Sequence, residues 1–399
     1  LAEKIINVSA AEQHHSDLKL YAINISRHRV IPDYRDGMKP VHRRIIYCMY
    51  NDLRETKTKY VKTLQVVGSV LGNYHPHGDS SVTGAIKPLT NWFEINKPLI
   101  DNQGSFGNIQ GDDASHPRYT EVKLSKFTLD CIVSDLDKSY NVIDWEKNYN
   151  DELLEPEFLP VTLPMLLING TLGIGTGIKV EIPRHNINEV IDATIAVLKN
   201  PAAQVELIPD HCMPCEIIKT NFKAISNKGN GNYTVRGIID VEEYKGRHAL
   251  IIKSLPDLTF LSTVIIAIEK LVVENKLIQI QDMFDESEEN KLRYVIVLKK
   301  GADPNYVKSV IYKNTNMEQS CRVNFEALRG KIPIRMSYKS YILAWIDFRK
   351  VTKFRLYCNI LQLVQTKIHE REIYIKVLQS GYIDDIIHMI RNQTTIDDN

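Results

Sequence analysis

Three segments concentrate side chains able to handle phosphate. Residues 29–44 read RVIPDYRDGMKPVHRR, residues 67–79 read VGSVLGNYHPHGD, and residues 102–113 read NQGSFGNIQGDD. The third runs directly into Ala114-Ser-His-Pro-Arg118-Tyr119-Thr120-Glu121. Glycine lets a backbone approach a phosphate closely. Arginine, lysine and histidine supply charge-assisted donors to it. A tyrosine beside an arginine at the end of such a loop is a candidate phosphoryl-transfer nucleophile. A Tyr–Arg pair alone is more often an ordinary surface or core pair, so only its setting can single it out.

Other chemistries are poorly served. No G-x-x-x-x-G-K-[ST] loop and no G-x-S-x-G elbow occurs. The glycine run at 170–177 lacks G-x-G-x-x-G spacing and meets Pro183 where a helix should follow. Asp135 and Asp137 form a D-x-D that could hold Mg²⁺, but without a partner glutamate in a strand they read as a helix cap or turn. Cys212 and Cys215 have no second ligand pair, so they read as ordinary loop cysteines rather than a zinc site. No metal ligands are assigned.

The elements that must position these loops come next. Pro40 opens a segment whose Val41, Ile45, Met49 and Leu53 recur at helical spacing, with His42, Arg43 and Arg44 near its start. A second helix is expected over 61–71, stopped by Gly72-Asn73. A third starts at an Asp79 or Ser80 cap, with Val82, Ala85, Ile86, Leu89 and Trp92 or Phe93 as its apolar stripe. Helix, helix, turn and helix suggest a helix-turn-helix or winged-helix core. Residues 233–239, 249–253 and 294–298 read as strands, and 262–275 as a helix between them. From Ser337 to Ser380 there is neither Gly nor Pro, which predicts one long helix of ~66 Å, a coiled-coil arm in need of a partner. Gly381 breaks it before a short amphipathic piece at 383–390.

Length and composition bound the answer. At 399 residues, 43% apolar and 25% charged, the chain should hold two or three domains with real cores. That excludes a disordered chain, a collagen and a disulfide scaffold. No stretch reaches the ~18 apolar residues of a membrane span, and the start lacks the pattern of a signal peptide. The Leu1 start predicts a processed chain or a piece of a longer one. Six dispersed cysteines fit a reducing, intracellular compartment. The net charge of +1 hides an uneven distribution. Residues 27–62 carry ten Lys/Arg against four Asp/Glu, residues 331–376 ten against three, and residues 129–160 two against nine. Basic stretches are candidate phosphate footprints, although a solvated helix face is the commoner use of any one of them.

The four linked segments DGMKPVHRRIIY (36–47), VGSVLGNYHPHGDSS (67–81), NQGSFGNIQGDDASHPRYTEVKLS (102–125) and LPMLLINGTLGIGTGIKVEIPRHN (163–186) resemble the DNA breakage–reunion region of type IIA DNA topoisomerases. GNYTVRGIIDVEEYKG (231–246) and EKLVVENK (269–276) continue the resemblance more weakly, and it runs from about Tyr21 to Arg391. The YHPHGD form is similar to the bacterial gyrase A and topoisomerase IV branch. The remainder diverges, with a large DNA virus as one candidate source.

The resemblance implies an α+β multidomain fold: a winged-helix domain with the catalytic tyrosine over 1–155, an α/β tower domain over 156–335, and a coiled-coil arm leading to a distal dimer gate over 336–399. It implies that Tyr119 attacks a DNA phosphodiester to leave a transient 5′-phosphotyrosine break, through which a second duplex passes. Arg118 would stabilise charge on the phosphate oxygens, and His77 would contact the scissile-phosphate region or handle a proton. Arg29, Lys39, His42, Arg43 and His75 would hold DNA. Ile182 would wedge between base pairs and bend the duplex, and Arg184, where the family usually has a second proline, would add a phosphate contact. Ser80 is retained where quinolones engage the family, but Gly84 replaces the acidic residue, which implies weak quinolone sensitivity. Mg²⁺ and ATP would be held outside this chain, by TOPRIM and ATPase regions of the same polypeptide or of a B-type subunit. The partners implied are double-stranded DNA and a second copy, with no membrane. The site of action would be wherever the DNA lies: cytoplasm, nucleoid or a viral replication site, ahead of the nucleus.

Two readings from other classes stand beside this one. A non-catalytic DNA-binding module with a dimerising arm explains the charge and the long helix without Tyr119. A metal-dependent nuclease would use Asp112 and Asp113, or Asp135 and Asp137, and form no covalent intermediate.

Overall fold

The computed structural model describes residues 9, 13–14, 17–18, 21, 25–136, 141–175, 177–218, 220–288, 291–330, 332–380 and 383–393. Within them the chain is a mixed α/β structure with several antiparallel sheets. No helix among the described residues is long and apolar enough to cross a membrane.

The proline at its first position starts helix α1 (Pro40–Asn51), where a missing N–H costs no helical bond. Ile45, Ile46 and Met49 are fully buried along it. Strand β1 (Val61–Lys62), helix α2 (Thr63–Asn73), helix α3 (Asp79–Thr90), and strands β2 (Ile100–Gln103) and β3 (Glu121–Leu124) follow. The sheet order is β1–β3–β2, with Val61 and Asn102 both opposite Val122. Two boundaries move from expectation. Helix α2 starts at Thr63, because Val61 and Lys62 pair with β3 instead. Helix α3 is preceded by Gly78 and ends at Thr90, so Trp92 and Phe93 leave it. The chain turns there because the Asn91 amide donates to Glu94 and to the Phe106 carbonyl.

Strands β4 (Trp145–Lys147) and β5 (Leu154–Pro156) and helix α4 (Met165–Ile168) lead into β6 (Thr171–Gly175) and β7 (Ile178–Ile182). The glycine run at 170–177 is thus a β-hairpin, not a nucleotide loop. Gly173 is required there, since a Cβ would stand 2.2 Å from the Val30 carbonyl. Next come α5 (Ile187–Lys199), β8 (Cys215–Ile218), α6 (Phe222–Lys228) and β9 (Asn230–Gly237). With β14 (Glu318–Asn324) the strands form a sheet of order β6–β7–β14–β9–β8. One apolar core joins this sheet to helices α1 to α3, running from Val30 to Leu356.

Between β9 and β14 the chain builds a second core. Strands β10 (Ile239–Tyr244), β11 (Arg247–Ile252), β12 (Ile280–Asp285) and β13 (Tyr294–Leu298) pair in the order β10–β11–β13–β12. Helices α7 (Leu261–Val273) and α8 (Pro304–Asn314) cover one face. Strand alternation shows directly: Leu250, Ile252, Ile296 and Leu298 meet the helices, while Ala249, Ile251, Val295 and Val297 make a small cluster on the other face. The strand expected over 233–239 is divided, because β9 belongs to the first sheet and β10 to the second.

A hairpin of β15 (Glu326–Arg329) and β16 (Ile332–Arg335) precedes helix α9 (Tyr338–Gln379), 42 residues long and hence ~63 Å. The Ser337 hydroxyl accepts from the Ser340 N–H at its start. Tyr341, Trp345, Phe348 and Leu356 bury the first half in the main core. Beyond it Tyr357, Leu361, Val364 and Ile368 are exposed. Helix α10 (Ile383–Gln393) follows.

The acidic stretch and the second basic stretch meet here. Arg349 pairs with Asp135 at 2.8 Å, Lys353 with Asp135 at 3.1 Å, and Arg355 with Asp144 at 3.0 Å. Asp135 is therefore an ion-pair partner of α9. Asp137 lies outside the described residues.

Candidate nucleic-acid interface and nucleophile

Tyr119 is 68% exposed. Its loop is nonetheless fixed. The Tyr119 N–H donates to the His116 carbonyl, Thr63 N–H to the Thr120 carbonyl, and Leu64 N–H to the Pro117 carbonyl. The buried Thr120 hydroxyl donates to the Thr63 hydroxyl at 2.8 Å. The start of α2 thus clamps both sides of the Arg118–Tyr119 pair. The Arg118 guanidinium lies 5.4 Å from the Tyr119 ring centre, and its Nε donates to His116 Nδ1 at 3.3 Å. An exposed phenol on a rigid backbone with a cation beside it can receive an anionic phosphate.

A second group gathers beyond the other end of α2. His77 is exposed and stacks on His75, ring centres 4.3 Å apart. Arg44 donates to His75 Nδ1 at 3.0 Å, and its other nitrogens grip Glu155 at 2.6 and 2.7 Å. Because Nδ1 accepts, the neutral His75 ring carries its proton on Nε2. Burial, then the charges of Arg44, His77 and Arg29, push the His75 pKa down to about 4. His75 is therefore a neutral, 8% exposed support for His77. Arg29 is exposed and makes no ion pair among the described residues. The Tyr119 loop is anchored at the start of α2 and His77 follows its end, so the 11 residues of α2, ~16 Å along the helix, lie between the two anchor points.

The hairpin β6–β7 rests on the chain at 26–30, with Val30 against Gly173 and Gly175. The Lys39 ammonium donates to the Leu172 carbonyl at 2.6 Å, and burial lowers its pKa. Lys39 therefore fastens the hairpin as well as lying in the basic segment.

Four of the residues expected at the DNA are buried or paired within the chain itself. Arg43 is 8% exposed and its guanidinium is bidentate on Asp36, at 2.6 and 3.1 Å, so it holds the 33–38 turn and has no fork left for DNA. Ile182 is 4% exposed in the main core, and withdrawing it would cost about 2 kcal/mol. Ile174, 69% exposed on the same hairpin, is already outside. Arg184 is 5% exposed, paired with Asp257 at 2.6 Å, and donates to the Phe93 carbonyl at 3.2 Å. It ties the two cores together. His42 is half-buried, and burial with Lys39 and Arg43 nearby lowers its pKa to about 3, so it offers no cation.

Sequence reasoning missed Arg44 as the link to His75, and Ile174 as the exposed apolar tip. The signal for Ile174 was present: alternation along a glycine-rich hairpin. Cys212 and Cys215 are free thiols whose pKa values burial raises to about 12. No cluster of three or more His, Cys, Asp or Glu able to hold a metal occurs among the described residues.

Residues 29–399 match the family of the DNA gyrase/topoisomerase IV A subunit. The chain is 34% identical to the DNA gyrase A subunit of Borrelia hermsii over 98% of its own length and 48% of the relative's. It is 35% identical to that of Clostridium acetobutylicum over 94% and 46%, and 34% identical to that of Helicobacter pylori over 98% and 47%. The chain thus spans about half the length of these curated relatives.

Proposed function

The chain belongs to the family of the DNA gyrase/topoisomerase IV A subunit, and from that premise we propose that it is the DNA-cleaving and religating core of a type IIA topoisomerase. The observation that carries this is the exposed Tyr119 on a clamped loop with the Arg118 guanidinium beside it. The Tyr119 oxygen attacks a backbone phosphorus, its proton leaves, and a tyrosine–phosphorus bond forms. The bond from phosphorus to the 3′-oxygen breaks, and that oxygen leaves as a hydroxyl. One phosphodiester replaces another, so the reverse attack reseals the strand without an outside energy source. Arg118 offsets charge on the phosphate oxygens as the bond forms.

His77, raised on the His75 stack, serves the scissile-phosphate region, and Arg29 binds a flanking phosphate. Anchoring at opposite ends of α2, ~16 Å long, favours a dimer in which one copy's tyrosine completes its partner's site. Two tyrosines also supply the two cuts of a double-strand break. Ile174 on its hairpin is the better wedge for unstacking and bending the duplex. Helices α1 to α3 with the β1–β3–β2 sheet support a winged-helix reading of residues 1–155. Residues 156–335 are read as the tower, whose distinct part is the second core. Residues 336–399 are read as a coiled-coil arm, its exposed apolar residues awaiting another helix. Mg²⁺ and ATP enter through TOPRIM and ATPase regions, in the same polypeptide or a B-type subunit.

The test uses the whole protein with its Mg²⁺-binding and ATPase partner regions. Supercoiled plasmid is added, and the reaction is stopped with denaturant and protease. Linear DNA carrying a 5′-linked peptide is expected from the wild type and none from Tyr119→Phe. Linear DNA with free 5′ ends would instead mean a nuclease, and tight binding without cutting would mean a DNA-binding module.

A further inference from the structure

The loop before Tyr119 is shared between the two cores. At one point it belongs to the first: Phe106 is buried there, and its carbonyl accepts from Asn91. Three residues later Ile109 packs against the second core instead. The Ile109 and Gln110 carbonyls accept from the Leu261 and Ser262 N–H groups, each at 3.0 Å. These two donors are the first residues of α7, whose N–H groups have no partner within their own helix. Gly111 follows at φ +106°, where a Cβ would stand 2.3 Å from the Ser262 hydroxyl oxygen. The loop then closes on itself, with Phe106 bridging Ala114 and the Ser115 N–H donating to the Ser105 carbonyl. Gly104 packs against Thr120 and the Tyr119 carbonyl.

We propose that the N-terminal turn of α7, through Leu261 and Ser262, is a positioning element for the Tyr119 nucleophile, so that the second core sets the register of the cleavage loop. Direct contacts make each link. The α7 donors hold Ile109 and Gln110, these fix the loop's far side, and its near side underlies Tyr119. Arg184 makes an independent tie between the same two bodies, from Asp257 to the Phe93 carbonyl. A shift of the second core relative to the first therefore pulls on this loop as well as on the Arg184 tie. A misplacement of about 1 Å at a reacting group can cost a hundredfold in rate, so modest movement here would gate cleavage. The proposal rests on the reading of Tyr119 as the nucleophile.

The test compares Leu261→Pro with Leu261→Ala in the whole enzyme. Proline suits the first position of a helix, and Phe260 before it is extended, as proline requires. Proline removes the N–H to Ile109, while alanine keeps it and loses at least as much apolar surface. Formation of the 5′-tyrosyl adduct is expected to be at least about tenfold slower in the proline variant than in the alanine one. DNA affinity and melting temperature should match between them, which a merely structural role could not produce. Gly111→Ala attacks the same contact from the loop side and should slow the adduct with unchanged DNA binding. Equal cleavage by the Leu261 pair, or wild-type cleavage by Gly111→Ala, would overturn the proposal. Absence of any adduct from the wild type would instead sink the assignment of Tyr119.

Discussion

The two basic stretches carry nearly the same excess charge, +6 over 27–62 and +7 over 331–376, yet the fold uses them differently. In the second stretch part of the charge is met from within. Arg349, Lys353 and Arg355 pair with the acidic stretch, and Arg335 with Glu326. In the first stretch Arg35, Arg43 and Arg44 are likewise pinned by Asp33, Asp36 and Glu155. There, however, the pinned cations form a frame that leaves Arg29 and, through His75 beyond the stretch, His77 facing outward. A charge count cannot tell a phosphate contact from an internal strut; the position of the counter-charge does.

The largest effect should come from breaking the strut. Arg349→Glu places a carboxylate beside the nearly buried Asp135 and should cost about 3–5 kcal/mol, read as a lower urea midpoint. DNA affinity at a temperature where the variant is folded should be unchanged. A large loss of affinity without a loss of stability would make α9 a DNA surface after all.

Acid should act next, through two buried histidines outside both stretches. His75 and His185 are buried with pKa values lowered to about 4, against about 6.5 when unfolded. The unfolded chain binds more protons between those values, so stability is full above about pH 6.5 and falls as pH drops towards 4. The slope is about 1.4 kcal/mol per pH unit for each histidine. Urea titrations at pH 7, 6 and 5 check it, and a flat profile would show that the two rings are not buried neutral.

The hairpin offers a sharper contrast. Ile174→Ala should reduce DNA bending about tenfold, measured by energy transfer between dyes at the duplex ends, and leave the melting temperature alone. Ile182→Ala should do the reverse, costing about 2–4 kcal/mol of stability. The smallest effect is Arg29→Ala, expected to weaken DNA binding about fivefold and to lower the salt slope by about 1. Arg29→Lys should recover most of it.

Much of the local structure was legible. Apolar spacing at 41–49 placed α1, the run without Gly or Pro placed α9, and the β-branched run at 294–298 placed β13. The Arg118–Tyr119 pair stood out because it ends a glycine-rich loop. What the sequence left open is burial, and it has one cause. Arg43, Arg184 and Ile182 look like Arg29 and Ile174 in type and neighbourhood. Their burial depends on Asp36, Asp257 and the main core, which the chain supplies elsewhere.

The sequence by itself determined which chemistry is available: a tyrosine with a cation beside it, histidines able to stack, glycines for close approach, and helices wherever apolar residues recur at helical spacing. Those are properties of short segments, fixed by local sterics and side-chain type. Only the tertiary structure decided which cations face outward, which isoleucine stands on the surface, and that the loop carrying Tyr119 is held by a helix about 150 residues further on. Burial, ion pairing and long-range hydrogen bonds are relations between distant segments, and no single segment encodes its partner.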